Sequence, residues 1–316
     1  MPKTASLSRL ICDLTGEKSG PLLVLMAGIH GNEPAGIRAV ERVAEALQGS
    51  TSSLRGRIVG LRGNLKALSL GERFIHRDLN RLWTAASIEH VKSLPPQRLD
   101  VEQGELSELL EQLRGLDHSH PGPKVMIDLH TTSAPGGKFS VVEEDALSID
   151  LALALQAPVI RGLTKALLGT TTSYCVEQGW SGLAFEAGQH HDPRAIDEHE
   201  AAIWVILKHL GLIEDQVSWD SRAQQALHHL REDSLGLPRQ VAVRYRHVIH
   251  TSDKFRMRPG YINFQPVHQG EWLADDQAGR ILAPTKGLIL MPLYQPQGAD
   301  GFFIIQPLSE GKTLIG

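Results

Sequence analysis

The chain has 316 residues, a formal charge of −4, 41% hydrophobic and 22% charged residues. That is an ordinary soluble globular composition, long enough for one large domain or two smaller ones, and it lacks the basic footprint that nucleic acid or an anionic membrane surface requires. Two cysteines, Cys12 and Cys175, exclude a disulfide framework and fit a reducing, cytoplasmic location. The start, Met1 to Ala5, has no apolar stretch of the signal-peptide kind. The most apolar helix-like run, Ala201 to Ile213, is broken by Lys208 and His209 and is too short to span a bilayer.

Leu22 to Ala27 is a continuous apolar run, the pattern of a strand buried on both faces, and it ends in Gly28-Ile29-His30-Gly31. Pro34 to Leu47 follows with helical spacing of Ile37, Val40, Ala44 and Leu47. Arg57 to Leu61 reads as a strand and Glu102 to Leu113 as an amphipathic helix. Val125 to Leu129 is a second buried strand, Ser148 to Gln156 a helix, Leu183 to Glu186 a strand, and Arg194 to Leu210 a helix. Strands alternating with helices predict a layered α/β domain with a largely parallel sheet over residues 1–215. A connecting helix, Val217 to Glu232, falls in a linker over 216–238. From 239 to 316 short strands broken by Pro and Gly predict a small all-β domain, with Val241 to Ile249, Tyr261 to Phe264 and Gly287 to Met291 as examples.

Three predicted strand ends carry chemistry: His30-Gly31-Asn32-Glu33, Asp128-Leu129-His130 and Phe185-Glu186-Ala187-Gly188. Ligands gather outside the carboxyl ends of strands in open α/β sheets. Two imidazoles and one carboxylate are a usual set for catalytic zinc, with a position left for water, and Asp128 or a backbone carbonyl is placed to orient a ligand imidazole. Alone, His30 and Glu33 serve equally well to cap the following helix. The second histidine at a second strand end favours the metal.

These motifs resemble those of the succinylglutamate desuccinylase and aspartoacylase family, within the wider zinc carboxypeptidase group. Gly28 to Glu33 resembles its zinc-binding motif, Asp128 to Ser133 its third-ligand motif, Arg73 to Arg81 its substrate-binding segment, and Phe185 to Gly188 its catalytic glutamate. The resemblance implies a three-layer α/β/α domain with a mixed, largely parallel sheet. It implies one zinc ion held by His30, Glu33 and His130. Glu186 would be the general base, Arg73 the oxyanion partner, and Asn80 and Arg81 the grip on a substrate carboxylate. Tyr294 is the candidate for a substrate-contacting tyrosine of the C-terminal part, and Tyr174 a weaker one. The implied reaction is hydrolysis of the amide bond of a small N-acyl amino acid. A metallocarboxypeptidase acting on short peptides and a non-catalytic binding protein on the same fold are the rivals. Aspartoacylases carry a further arginine shortly before the catalytic glutamate; Thr172 to Gly182 has none, so apolar, neutral or cationic side chains come into range. His76-Arg77-Asp78-Leu79 copies the start of a kinase catalytic loop, but the asparagine that loop needs is Trp83 here, and the likeness is coincidental.

Overall fold

The first strands, β1 (Leu10–Thr15) and β2 (Lys18–Ala27), lead into helix α1 (Ala35–Leu47), strand β3 (Arg55–Arg62) and helices α2 (Leu65–Leu70), α3 (Ala85–Ser93) and α4 (Val101–Ser119). Next come β4 (Lys124–Thr132), β5 (Phe139–Val142), α5 (Ala146–Ala154), β6 (Val159–Arg161), α6 (Leu163–Ala166), α7 (Thr171–Glu177), β7 (Ser181–Gln189) and α8 (Arg194–His209). The remainder comprises α9 (Val217–Glu232), β8 (Gln240–Val248), β9 (Arg256–Met257), β10 (Pro266–Val267), β11 (Trp272–Asp276), β12 (Gly279–Leu282), β13 (Gly287–Leu290) and β14 (Asp300–Pro307). This is a computed structural model that describes residues 7–49, 51–214, 217–308 and 315; the pentapeptide at the start of the chain and the boundary at 215–216 lie outside the described residues.

Eleven strands form one mixed sheet in the order β1-β3-β2-β4-β7-β5-β6-β8-β14-β13-β10. Strands β3, β2, β4 and β7 run parallel, and β5 turns antiparallel against β7. The apolar run in β2 is explained by two layers of helices. Leu23, Leu25 and Ala27 face one core with α1 and α8, while Leu22, Val24 and Met26 face the other with Leu106, Leu109, Leu110 and Leu113 of α4. A side chain such as Leu25, 1% exposed, contributes about 2–5 kcal/mol against truncation to alanine. The layered α/β architecture expected from the sequence is therefore present.

The stretch from 239 onward continues the same sheet. Strand β8 pairs parallel with β6, and β14, β13 and β10 extend it antiparallel. A separate three-stranded antiparallel sheet, β12-β11-β9, lies beside it. Tyr261 to Phe264, read above as a strand, is a turn: Phe264 has φ of 65°, and only Pro266–Val267 pairs, with β13. The left-handed backbone at Phe264 cannot continue an extended strand. Helix α9 packs against α8. Among the described residues no helix is long and apolar enough to cross a membrane.

Candidate active site

Strand register sets the first half of the site. Ala27 of β2 pairs with Leu129 of β4, and His130 of β4 with Glu186 of β7. The residues at these carboxyl ends therefore share one edge of the sheet. The chain leaves β2 through Gly28, whose φ of 69° is favourable only without a Cβ. At Gly31 a Cβ would lie 2.1 Å from the Ala67 carbonyl carbon, so the turn carrying His30 requires glycine there. The Gly31 N–H donates to the Arg73 carbonyl at 3.1 Å, which ties this turn to the loop of Arg73 and Asp78.

His30, Glu33 and His130 are buried together, with ligand atoms within 4.8 Å of one another. Glu33 Oε1 lies 2.9 Å from His30 Nδ1, and its Oε2 lies 3.1 Å from His130 Nδ1 and accepts the Thr131 N–H at 2.9 Å. The outer nitrogens face acids: His30 Nε2 is 3.0 Å from Asp78 Oδ1, and His130 Nε2 is 3.1 Å from Asp128 Oδ2. Two Nδ1 atoms thus flank one carboxylate, and a further carboxylate stands behind each imidazole, hydrogen-bonded at His30 and at ion-pair distance at His130. That is how metal-ligating histidines are held, and the donor set fits a divalent cation with an open position. Burial alone would raise the Glu33 carboxyl, but the two imidazoles hold it well below the carboxylate range. Burial would likewise lower His130, but Asp128 and Glu33 hold its imidazole well above the usual value.

Glu186 stands beside this cluster. Burial pushes its carboxyl up to about 8, against the opposing pull of His130 and Arg73, and its Oε2 is buried with no hydrogen-bond partner. Arg73 reaches Asp78 Oδ2 at 3.0 Å and Glu33 Oε1 at 3.4 Å. Leu79 to Arg81 is a short 3-10 turn capped by Asp78, not a helix face. Asn80 Oδ1 accepts the Thr171 N–H at 2.9 Å while its Nδ2 lies 3.3 Å from His130 Nε2. Arg81 donates to the Asn80 carbonyl at 2.8 Å and lies 3.5 Å from Asp300 Oδ2. These groups line one cavity of about 120 Å³.

The two tyrosine candidates fall elsewhere. Tyr294 does not line this cavity: its hydroxyl donates to the Arg258 carbonyl at 2.8 Å and accepts the Tyr261 N–H at 2.9 Å. Tyr174 packs against Trp83, ring centroids 5.4 Å apart. Arg77 pairs with Asp100 at 2.6 Å. His190 sits at the rim, 2.7 Å from Thr131 Oγ1 and 3.2 Å from Gln295 Oε1.

Sequence reading missed two acids. Asp78 orients both His30 and Arg73. Glu102, fully buried, accepts the N–H groups of Ile75, His76 and Arg77 at 2.7, 3.0 and 3.3 Å, and the Asn64 side-chain amide at 3.0 Å. It pins the loop that delivers Arg73. Its signal was present: Glu102 lies on the apolar face of α4, four residues before Leu106.

The family model for the succinylglutamate desuccinylase/aspartoacylase catalytic domain matches residues 19–210, which include every group from His30 to Glu186. The chain belongs to this family. Among its relatives, a succinylglutamate desuccinylase of Ectopseudomonas mendocina is 25% identical over 285 residues, covering 83% of this chain and 78% of that protein. One from Pseudomonas fluorescens is 34% identical over 114 residues, which is 36% of this chain but only 31% of that protein. The fold is shared with a solved succinylglutamate desuccinylase/aspartoacylase from Rhodobacter sphaeroides, at a TM-score of 0.66 and 18% identity over 94% of this chain and 88% of that one. It is shared also with the ectoine utilization protein EutE (DoeB) from Ruegeria pomeroyi, at 0.64 and 16% over 92% and 86%. The family match ends before the segment that adds Met291, Leu293, Asp300 and Phe303 to the cavity wall.

Proposed function

We propose that this member of the family is a zinc-dependent amidohydrolase that splits a small N-acyl amino acid into a carboxylic acid and a free amino acid. The observation that carries the reading is the Glu186 carboxyl, its Oε2 unpartnered beside the His30, Glu33 and His130 cluster. Zinc held by these three residues would polarise the acyl carbonyl and bring the acidity of water near neutral pH. Glu186 takes a proton from the attacking water and delivers it to the departing amine nitrogen as the C–N bond breaks and a C–O bond forms. Arg73 supplies guanidinium N–H groups to the developing oxyanion, worth about 3–4 kcal/mol in comparable sites. Asn80 and Arg81 hold the α-carboxylate, for which the guanidinium fork is suited.

The size of the cavity, about 120 Å³, favours a small substrate over a peptide. Residues 239–316 cap the site of the catalytic unit of 1–215 by adding Met291 and Phe303 to its wall, while their strands continue the main sheet. The free thiols of Cys12 and Cys175 suit the cytoplasm. The test is hydrolysis of N-acetyl and N-succinyl amino acids and of short peptides by protein of known metal content. Chelator-sensitive release of free amino acid, with peptides left intact, is the expected result. Faster cleavage of peptides would replace the reading with a carboxypeptidase, and a tight metal without turnover would replace it with a binding protein.

A further inference from the structure

Resting on the deacylase reading, we infer that the preferred substrate carries an apolar amino-acid side chain, held against a wall formed by Val141, Leu163, Leu167, Ala184 and Phe303. These five side chains border the same cavity as Glu186 and Arg81. Val141 and Ala184 face each other across β5 and β7, and Ala184 precedes Glu186 on the same face of its strand. They form a floor beside the base. Leu163 and Leu167 come from α6 and the loop after it. Phe303 comes from β14 and is 1% exposed.

The carboxylate grip lies next to this wall. A Cβ at Gly169 would sit 2.5 Å from the Arg81 carbonyl oxygen, so the segment of Leu167 abuts Arg81. Asp300, 3.5 Å from Arg81, stands three residues before Phe303. An amino acid with its α-carboxylate on Asn80 and Arg81 therefore projects its side chain onto Leu163, Leu167 and Phe303.

Charge makes the same choice. The cationic side chains bordering the cavity, among the described residues, are Arg73 and Arg81. Arg73 is engaged by Asp78 and Glu33, and Arg81 faces Asp300. Asp300 is also held at 2.5 Å by Arg246, behind the cavity. A second substrate carboxylate would meet apolar carbon, Asp300 and threonine hydroxyls already engaged elsewhere, and would be desolvated without a cationic partner. An apolar side chain gains by burial instead.

The test uses zinc-loaded full-length protein and two independent readouts. In the first, kcat/KM for N-acetyl-L-leucine and N-acetyl-L-methionine is set against N-acetyl-L-aspartate and N-succinyl-L-glutamate. The apolar pair is expected to lead by at least ~100-fold, the scale at which a mismatched polar group is rejected. In the second, the melting temperature is recorded with free leucine and with free aspartate, and leucine is expected to raise it more. The Leu167→Arg variant, altered at a half-buried position, should shift both readouts toward the acidic compounds while its far-ultraviolet spectrum stays unchanged. Preference for the acidic compounds in either readout overturns the inference, as does a Leu167→Arg variant that folds and leaves the ratio unchanged. Leucine stabilisation without hydrolysis of any N-acyl compound would sink the deacylase reading and leave the apolar wall standing.

Discussion

Strands β2, β4 and β7 run parallel and bring His30, His130 and Glu186 to one edge of the sheet. The antiparallel strands β13 and β14, with the turn between them, bring Met291, Leu293, Asp300 and Phe303 to the same cavity. On the proposed reading the first set would hold a cation and move a proton, and the second completes a substrate wall begun by Val141, Leu163, Leu167 and Ala184. Reactive groups need fixed mutual positions, and parallel strands buried on both faces provide them. A wall needs only shape and charge. On this view substitutions at His30, Glu33, His130 or Glu186 abolish metal binding or turnover, whereas those in the wall alter preference or local stability.

The largest effect is expected at the ligand carboxylate. Glu33→Ala removes one of three donors and a group that links both Nδ1 atoms. Metal content by mass spectrometry should fall from one equivalent to near zero. Full retention of the metal would break the assignment of the parallel half.

Glu186→Gln should keep the metal and lower kcat by about 10²–10⁴-fold, the usual contribution of a positioned base. The pH profile sharpens the point. A base must be deprotonated to act, so the rate falls as pH drops through its pKa. Burial pushes this carboxyl up to about 8, and the charge of a bound cation pulls it down from there, so the acid limb belongs below pH 8. The limb should vanish in the glutamine variant. A limb that survives would assign the titration to another group.

Glu102→Ala tests whether a residue distant from the cation governs the loop of Arg73. The substitution strands three partly buried N–H groups and the buried Asn64 amide. A loss of about 3 kcal/mol or more in unfolding free energy is expected, together with a fall in kcat, because Arg73 and Asp78 lose their support. Denaturant unfolding reads the first and steady-state kinetics the second. Asp128→Asn is milder. It keeps the shape behind His130 while weakening the partner 3.1 Å from Nε2, and should reduce metal affinity about 10–100-fold.

These residues also mark how far the sequence could be read. Leu22 to Ala27 and Val125 to Leu129 stand out because strands buried on both faces are almost wholly apolar, Asp128 being the exception, and a histidine follows each run closely. His30 and His130 were found that way, and Glu186 from the motif around it, which the structure places inside β7. Asp78 was not, because its contact with His30 spans 48 residues of sequence and depends on a loop with no periodicity. The link from Arg81 to Asp300 spans 219 residues and left no local trace. The antiparallel half was harder for a related reason. Strand β8 is only partly buried, so its pattern does not reveal that it joins the main sheet, and a proline-bounded turn at Tyr261 to Phe264 carries as much apolar character as a strand. Glu102 marks a boundary between the cases: the carboxylate on an apolar helix face was visible, but its three backbone partners were not.

The smallest effect is expected at Tyr294, where the two halves meet. Its ring lies outside the cavity, 37% exposed, and its hydroxyl closes the turn that holds Arg258 and Tyr261. Removing that hydroxyl in Tyr294→Phe leaves one N–H and one carbonyl for water to take over. A loss of about 1 kcal/mol is expected, a shift of about 2 °C in melting temperature for a chain of this size. Because the hydroxyl is engaged by the Arg258 and Tyr261 backbone, kcat/KM should stay within about threefold of the parent, a difference below 1 kcal/mol in transition-state stabilisation. A large fall in kcat/KM with no change in melting temperature would place the tyrosine against the substrate, and the antiparallel half would then share in the chemistry instead of only bounding it.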